Sequence, residues 1–140
     1  MLKVVLDTNI FVAGYLSKNQ QGYPSQILSS WRAGAFTLVI SPSILREIVA
    51  KLLEKGVSED LLQELVATIG QIGLNIPGAY ETCKLDTIDP DDNKFVDCAI
   101  AANARFIVSE DRHFRVLKQV EYPKVEVIGI QEFKKELEGS

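Results

Sequence analysis

Carboxylates are the residues of this sequence best placed to do chemistry. The 140 residues include 19 Asp and Glu but a single histidine, His113, and two cysteines, Cys83 and Cys98, that form no C-x-x-C pair. One histidine cannot build a histidine-rich zinc site, and a Ser-His-Asp triad would have to run through it alone. Five acids stand in unusual places. Asp7 directly follows an apolar run, in L-D-T-N. In an open α/β sheet the crevice beyond the carboxyl ends of the strands is where ligands bind, so an acid there can hold a cation, with Thr8 and Asn9 supplying further oxygens. It can equally cap the following helix. Asp111 repeats the placement after another apolar run, in I-V-S-E-D. Asp97 lies within F-V-D-C-A-I-A-A, a pattern apolar nearly all round and therefore that of a buried helix. A buried carboxylate is costly unless paired or bound to metal. Glu47 falls at the rim of the apolar stripe made by Ile44, Leu45, Ile48, Val49, Leu52 and Leu53. Paired only with Lys51, four residues on, it would contribute a few tenths of a kcal/mol. Asp92 follows Asp89 by three residues, where a first-turn acid satisfies a helix N-terminus. Asp86 to Asp97 holds five acids and one lysine, a strongly negative stretch.

Carboxylates that converge repel one another. A pair ~4 Å apart costs about 4 kcal/mol at an effective dielectric of 20, so several are hard to hold ionised without a divalent cation. Oxygen ligation without histidine favours Mg²⁺ or Mn²⁺ over zinc. Such a site suits hydrolysis of a phosphate ester, the metal activating water and neutralising charge on the phosphoryl group.

These acids need a frame, and the sequence alternates short β-branched runs with longer helical patterns. Lys3–Leu6, Phe36–Ile40, Arg105–Val108 and Val125–Ile128 read as buried strands, with a weaker one near Leu74–Ile76. Such runs separated by helices imply β-α units and a parallel sheet covered on both faces. Ser41-Pro42 and Asp89-Pro90 are helix starts. Ser58 precedes an amphipathic helix from Glu59 to about Ile72, and Pro24 to Ala33 forms another, closed by Gly34. Further helices are expected after Asp7 and near Phe114 and Phe133. With no repeat and no linker, residues 1–140 read as one domain.

Composition narrows the class. Hydrophobic residues make up 46% and charged residues 24%, values of a soluble globular protein. No apolar run approaches the ~20 residues of a membrane span. Asp7 interrupts the only N-terminal apolar stretch, so no secretory signal and no membrane are expected, and the cysteines read as reduced thiols of a cytoplasmic protein. A net charge of −4 argues against a protein that simply coats nucleic acid, but not against an enzyme with a local basic patch. Arg112, Arg115, Lys118 and Lys124 form such a patch, able to hold phosphates in a salt-dependent and sequence-independent way. Leu61, Leu62, Leu65, Val66, Ile69 and Ile72, with Leu52, Leu53 and Val57, exceed what one sheet face can cover. They predict an exposed patch and a homodimer that Leu65→Glu would dissociate.

Four segments in order, L-D-T-N, S-P-S-I-L-R-E-I, D-P-D-D-N-K-F-V-D-C-A-I-A-A-N-A and F-I-V-S-E-D-R-H-F, resemble the PIN-domain nucleases, and most closely the bacterial PIN proteins of toxin–antitoxin pairs. The resemblance spans almost the whole chain. It implies a three-layer α/β/α domain around a mostly parallel sheet and Mg²⁺- or Mn²⁺-dependent endoribonuclease activity on RNA, with an antitoxin protein as partner. It assigns Asp7, Glu47, Asp97 and Asp111 as catalytic acids, with Asn9 beside the first and Ser109 where the family often has Thr or Ser. Asp92 matches an acid frequent in this branch, so the metal set it implies is Asp7, Asp92, Asp97 and Asp111. A catalytically inactive PIN-like binding module shares the same residues. A haloacid-dehalogenase-type phosphohydrolase wants D-x-D at the first strand, where this chain has Asn9 as the second residue.

Overall fold

The computed structural model describes residues 1–17, 22–76, 93–110 and 125–139. Five strands, β1 (Lys3–Leu6), β2 (Thr37–Ile40), β3 (Leu74–Asn75), β4 (Phe106–Val108) and β5 (Glu126–Ile128), form one sheet in the order β3-β2-β1-β4-β5. Every neighbouring pair is parallel. The described helices are α1 (Thr8–Leu16), α2 (Tyr23–Arg32), α3 (Pro42–Glu54), α4 (Glu59–Ile72), α5 (Asn93–Ala102) and α6 (Ile130–Glu138). The whole is the three-layer α/β/α arrangement that the sequence predicts.

Side-chain chemistry accounts for the elements. Val4, Val5, Leu6, Leu38, Val39, Ile40, Phe106, Ile107 and Val108 are all buried, because a parallel sheet with helices on both faces leaves its inner strands no wet side. Ser41 caps α3 by accepting from Ile44 N at 3.3 Å, and Ser58 caps α4 by accepting from Leu61 N at 3.3 Å. Gly34 closes the turn after α2 with φ of +86°, a conformation that other residues rarely adopt. Gly14 lets α1 and α2 meet closely, since a Cβ there would come within 2.5 Å of Leu28 Cδ1. Phe133 of α6 sits in the core edge-on to Phe36, ring centroids 5.1 Å apart.

Connectivity creates a crevice. The chain winds outward from central β1 through β2 to edge strand β3, then returns to the other side of β1 as β4. Strand order therefore reverses between β1 and β4, and the carboxyl ends of these two strands form the topological switch point where open α/β sheets bind ligands. Register pairs Leu6 with Val108, so the residues that follow, Asp7 and Ser109, come face to face.

Two expectations change. Leu65 is fully buried, as are Leu62 and Ile69, whereas Leu61, Val66, Ile72 and Leu53 are exposed. On α4 the buried three form the centre of the apolar arc and the exposed three its flanks, because the helix lies flat against the sheet's edge region and only a central stripe reaches it. Leu65→Glu would thus place a charge in the core rather than at an interface. The helix carrying Asp97 is also less enclosed than its sequence suggests: Ala101 is exposed, and Ile100 and Asp97 are half-buried. Asp92, Asp111, Arg112, Arg115, Lys118, Lys124, His113, Cys83, the start at Asp89-Pro90 and the helix near Phe114 lie outside the described residues. Among the described residues no helix is long and apolar enough to cross a membrane.

Candidate active site

Asp7 is held at the switch point by the sheet itself. Its amide donates to Val108 O at 3.0 Å, extending the β1–β4 ladder by one residue. Its backbone carbonyl accepts from Ile10 N at 3.0 Å, opening α1. The residue thus stands in the N-cap position, but its side chain makes no capping hydrogen bond. Instead Oδ2 accepts from Ser109 Oγ at 2.8 Å. Asp7 is 5% exposed and Ser109 4%, so this is a buried pair between the ends of two strands. Of the two roles that the sequence leaves open for Asp7, capping and a place in the crevice, the side chain takes the second.

Thr8 and Glu47 extend the cluster. Buried Thr8 donates its hydroxyl to Glu47 Oε2, which brings the α3 acid beside the start of α1. Glu47 sits at the rim of its helix, half-buried, as its place on the apolar stripe predicts. Its cationic partner is Lys94 at the start of α5, with Nζ 2.9 Å from Oε1. Asn9 points to solvent and joins none of these contacts. Asp97 lies one turn further along the helix from Lys94. Burial first, and then the neighbouring Asp97 carboxylate, push the Cys98 thiol up to about 12, so it stays protonated and is a poor metal ligand or nucleophile at neutral pH.

Two contributors escape a reading of the sequence. Lys94 is one: it is the single cation of the acidic segment, three residues before Asp97, and that isolation is the signal that could have marked it as a counter-charge. Glu110 is the other. Its Oε1 accepts from Ile130 N at 2.7 Å and caps α6, whose N-cap residue, Gly129, has no side chain to do so. A Cβ at Gly129 would stand 3.0 Å from that same oxygen, so glycine leaves room for the carboxylate. Next to this cap opens a cavity of about 570 Å³ with Ser109, Glu110, Gln131 and Glu132 as its polar lining. It continues the crevice from Ser109 towards β5.

The structure therefore brings together Asp7, Thr8, Ser109 and Glu47 by direct hydrogen bonds. Among the described residues, no three acids, histidines or cysteines are grouped closely enough to enclose a metal ion. The donors at the switch point are nonetheless oxygens only, the kind that suits a hard divalent cation.

Known proteins agree with this architecture. A family model described as PIN domain matches residues 3–113. An uncharacterised protein of Methanocaldococcus jannaschii is 27% identical over 137 residues, covering 93% of this chain and 84% of its own. Among solved structures, the crystal structure of VapBC2 from Rickettsia felis bound to a DNA fragment from their promoter contains a chain that matches with a TM-score of 0.60 at 18% identity, covering 91% of this chain and 98% of that one.

Proposed function

Since the chain belongs to the PIN-domain family, we propose that it is a metal-dependent endoribonuclease, and that it acts as the toxin of a toxin–antitoxin pair. The observation that carries this reading is the buried Asp7–Ser109 contact at the switch point, with Glu47 tied beside it through Thr8. An acid buried at the ligand-binding crevice, yet not spent on capping its helix, is poised to bind.

In this reading Asp7, Asp92, Asp97 and Asp111 hold Mg²⁺ or Mn²⁺, and Glu47 completes the catalytic acids. The bound cation supplies activation of water and charge neutralisation at the phosphodiester. Ser109 fixes the Asp7 carboxylate at the strand end by donating to Oδ2. Thr8 fixes Glu47 by donating to Oε2, and in this reading Glu47 is the acid that takes the proton of the attacking water. Arg112, Arg115 and Lys118 grip the RNA backbone. Residues 1–140 act as one PIN-like domain in the cytoplasm.

Assembly follows from the apolar flanks of α4. Leu61, Val66 and Ile72 with Leu53 support a homodimer, or the seat of an antitoxin. The solved neighbour, by its title a VapBC2 assembly on promoter DNA, favours the antitoxin partner. The alternative of an inactive PIN-like module predicts cation binding without cleavage, whereas exposed Asn9 in place of a second aspartate disfavours dehalogenase-type chemistry.

The test is cleavage of a mixed RNA pool. Mn²⁺ or Mg²⁺ should give discrete 5′-labelled fragments, and EDTA should stop them. Cation binding with every RNA left intact would point to the inactive module.

A further inference from the structure

Both carboxylate oxygens of Glu47 are engaged by this chain itself. Thr8, the neighbour of Asp7, donates to Oε2, and the Lys94 ammonium stands 2.9 Å from Oε1. The Lys94 side chain is 21% exposed and that of Glu47 27%, so both charges have lost most of their water. Exposed pairs of long side chains contribute little. This one is partly desolvated, and it binds the start of α5 to the middle of α3. The ammonium also lies 5.3 Å from the centre of the Phe95 ring, which further limits where the stem can rest.

Resting on the reading of this site as a cation-dependent nuclease, we infer that Lys94 is a built-in competitor for the divalent cation. In the cation-free protein its ammonium supplies positive charge to Glu47, which Thr8 ties beside Asp7. Loading at Asp7 then brings a second positive charge towards the Glu47 that Lys94 already contacts, and the lysine must yield. The reasoning is Coulombic: like charges a few ångströms apart, in surroundings less polar than water, repel far more than solvated ones. Lys94 thus stabilises the cation-free fold and weakens loading. These effects have opposite signs, which separates a competitor from a scaffold. A lysine that only fastened α5 to α3 would, on removal, lower stability to the same extent with and without cation.

The experiment is Mn²⁺ titration by calorimetry, together with thermal unfolding followed by circular dichroism, on the full chain and its K94M, K94Q and K94R variants. K94M and K94Q should melt a few degrees lower in EDTA, bind Mn²⁺ about three- to tenfold more tightly, and gain a larger Mn²⁺ increment in Tm. K94R, which keeps the charge, should behave as the wild type in both measurements. K94Q secures the comparison if K94M folds poorly. Mn²⁺ affinity in K94M and K94Q equal to or weaker than the wild type would overturn the inference while leaving the nuclease reading in place. No Mn²⁺ heat and no Tm increment in any of the four proteins would overturn both.

Discussion

The two ends of the β1–β4 pair use charge in opposite ways. At the amino end, Lys3 reaches Ala102 O at 3.3 Å, and Arg105 pairs with Glu126 at 2.9 Å with both side chains at least half exposed. At the carboxyl end, Asp7, Thr8 and Ser109 are almost fully buried and bonded to one another or to Glu47. Solvated charges cost little to keep and contribute little. Buried polar groups persist only when each finds a partner, and every such group left without one is costly. The difference follows from topology: helices leave α/β sheets open at the carboxyl ends on either side of a reversal in strand order, and only there can an inward-facing acid meet a ligand. Charge at one end stays in water, and charge at the other is buried and partnered at the opening of the crevice.

Asp7→Asn probes this contrast most strongly. Asparagine keeps the shape, and its carbonyl can still accept from Ser109 Oγ, so the stability of the fold should change by no more than about 1 kcal/mol. Loss of the negative charge should cost about 4 kcal/mol of transition-state stabilisation, roughly a thousandfold in rate of RNA cleavage. Denaturant melts and single-turnover cleavage read the two quantities separately. A variant that unfolds yet cleaves normally per folded molecule would make Asp7 a structural residue, and the contrast between the sheet ends would collapse.

Much of this arrangement was legible in the sequence, and the rest was hidden for a physical reason. Strand β1 matches its expected span, Lys3–Leu6, because a strand buried on both faces is apolar along its length and cannot be mistaken for an amphipathic surface strand. Ser41-Pro42 and Ser58 mark their helices because capping is a local interaction, complete within one turn. Asp7 after the first strand was visible as a candidate, but its choice of Ser109 over its own helix depended on which strand lies next to β1. Glu47 shows the same limit. The sequence offers Lys51 one turn away, and the fold delivers Lys94 from another helix. Along α4 the apolar arc was plain, yet only docking decides that Leu65 is covered and Leu61 left bare. Local rules were readable, and partners from distant elements were not.

Glu110 sharpens the contrast from within the carboxyl end. It lies one residue beyond Ser109, but its carboxylate caps α6. Glu110→Ala should remove a charge-assisted hydrogen bond to a helix N-terminus and cost about 1–2 kcal/mol, or about 3–6 °C in Tm. Mn²⁺ affinity measured by calorimetry should stay within about twofold of the wild type, a difference of about 0.4 kcal/mol. A tenfold loss of affinity would move Glu110 from the cap into the metal site and extend that site into the neighbouring cavity.

The smallest effect belongs to the amino end. Glu126→Gln removes one charge of the Arg105–Glu126 pair while leaving the guanidinium over the Phe106 ring, 4.5 Å from its centre. The pair is solvated, so the loss should be about 0.5 kcal/mol or less, and should shrink further in high salt. Arg105→Ala should cost more than Glu126→Gln, since it also strips the apolar stem and the cation from the aromatic face. Chemical denaturation at low and high ionic strength distinguishes the two. If Glu126→Gln proved as damaging as Glu110→Ala and resisted salt, charge at the amino end would be as structurally committed as at the carboxyl end, and the asymmetry could no longer be traced to burial.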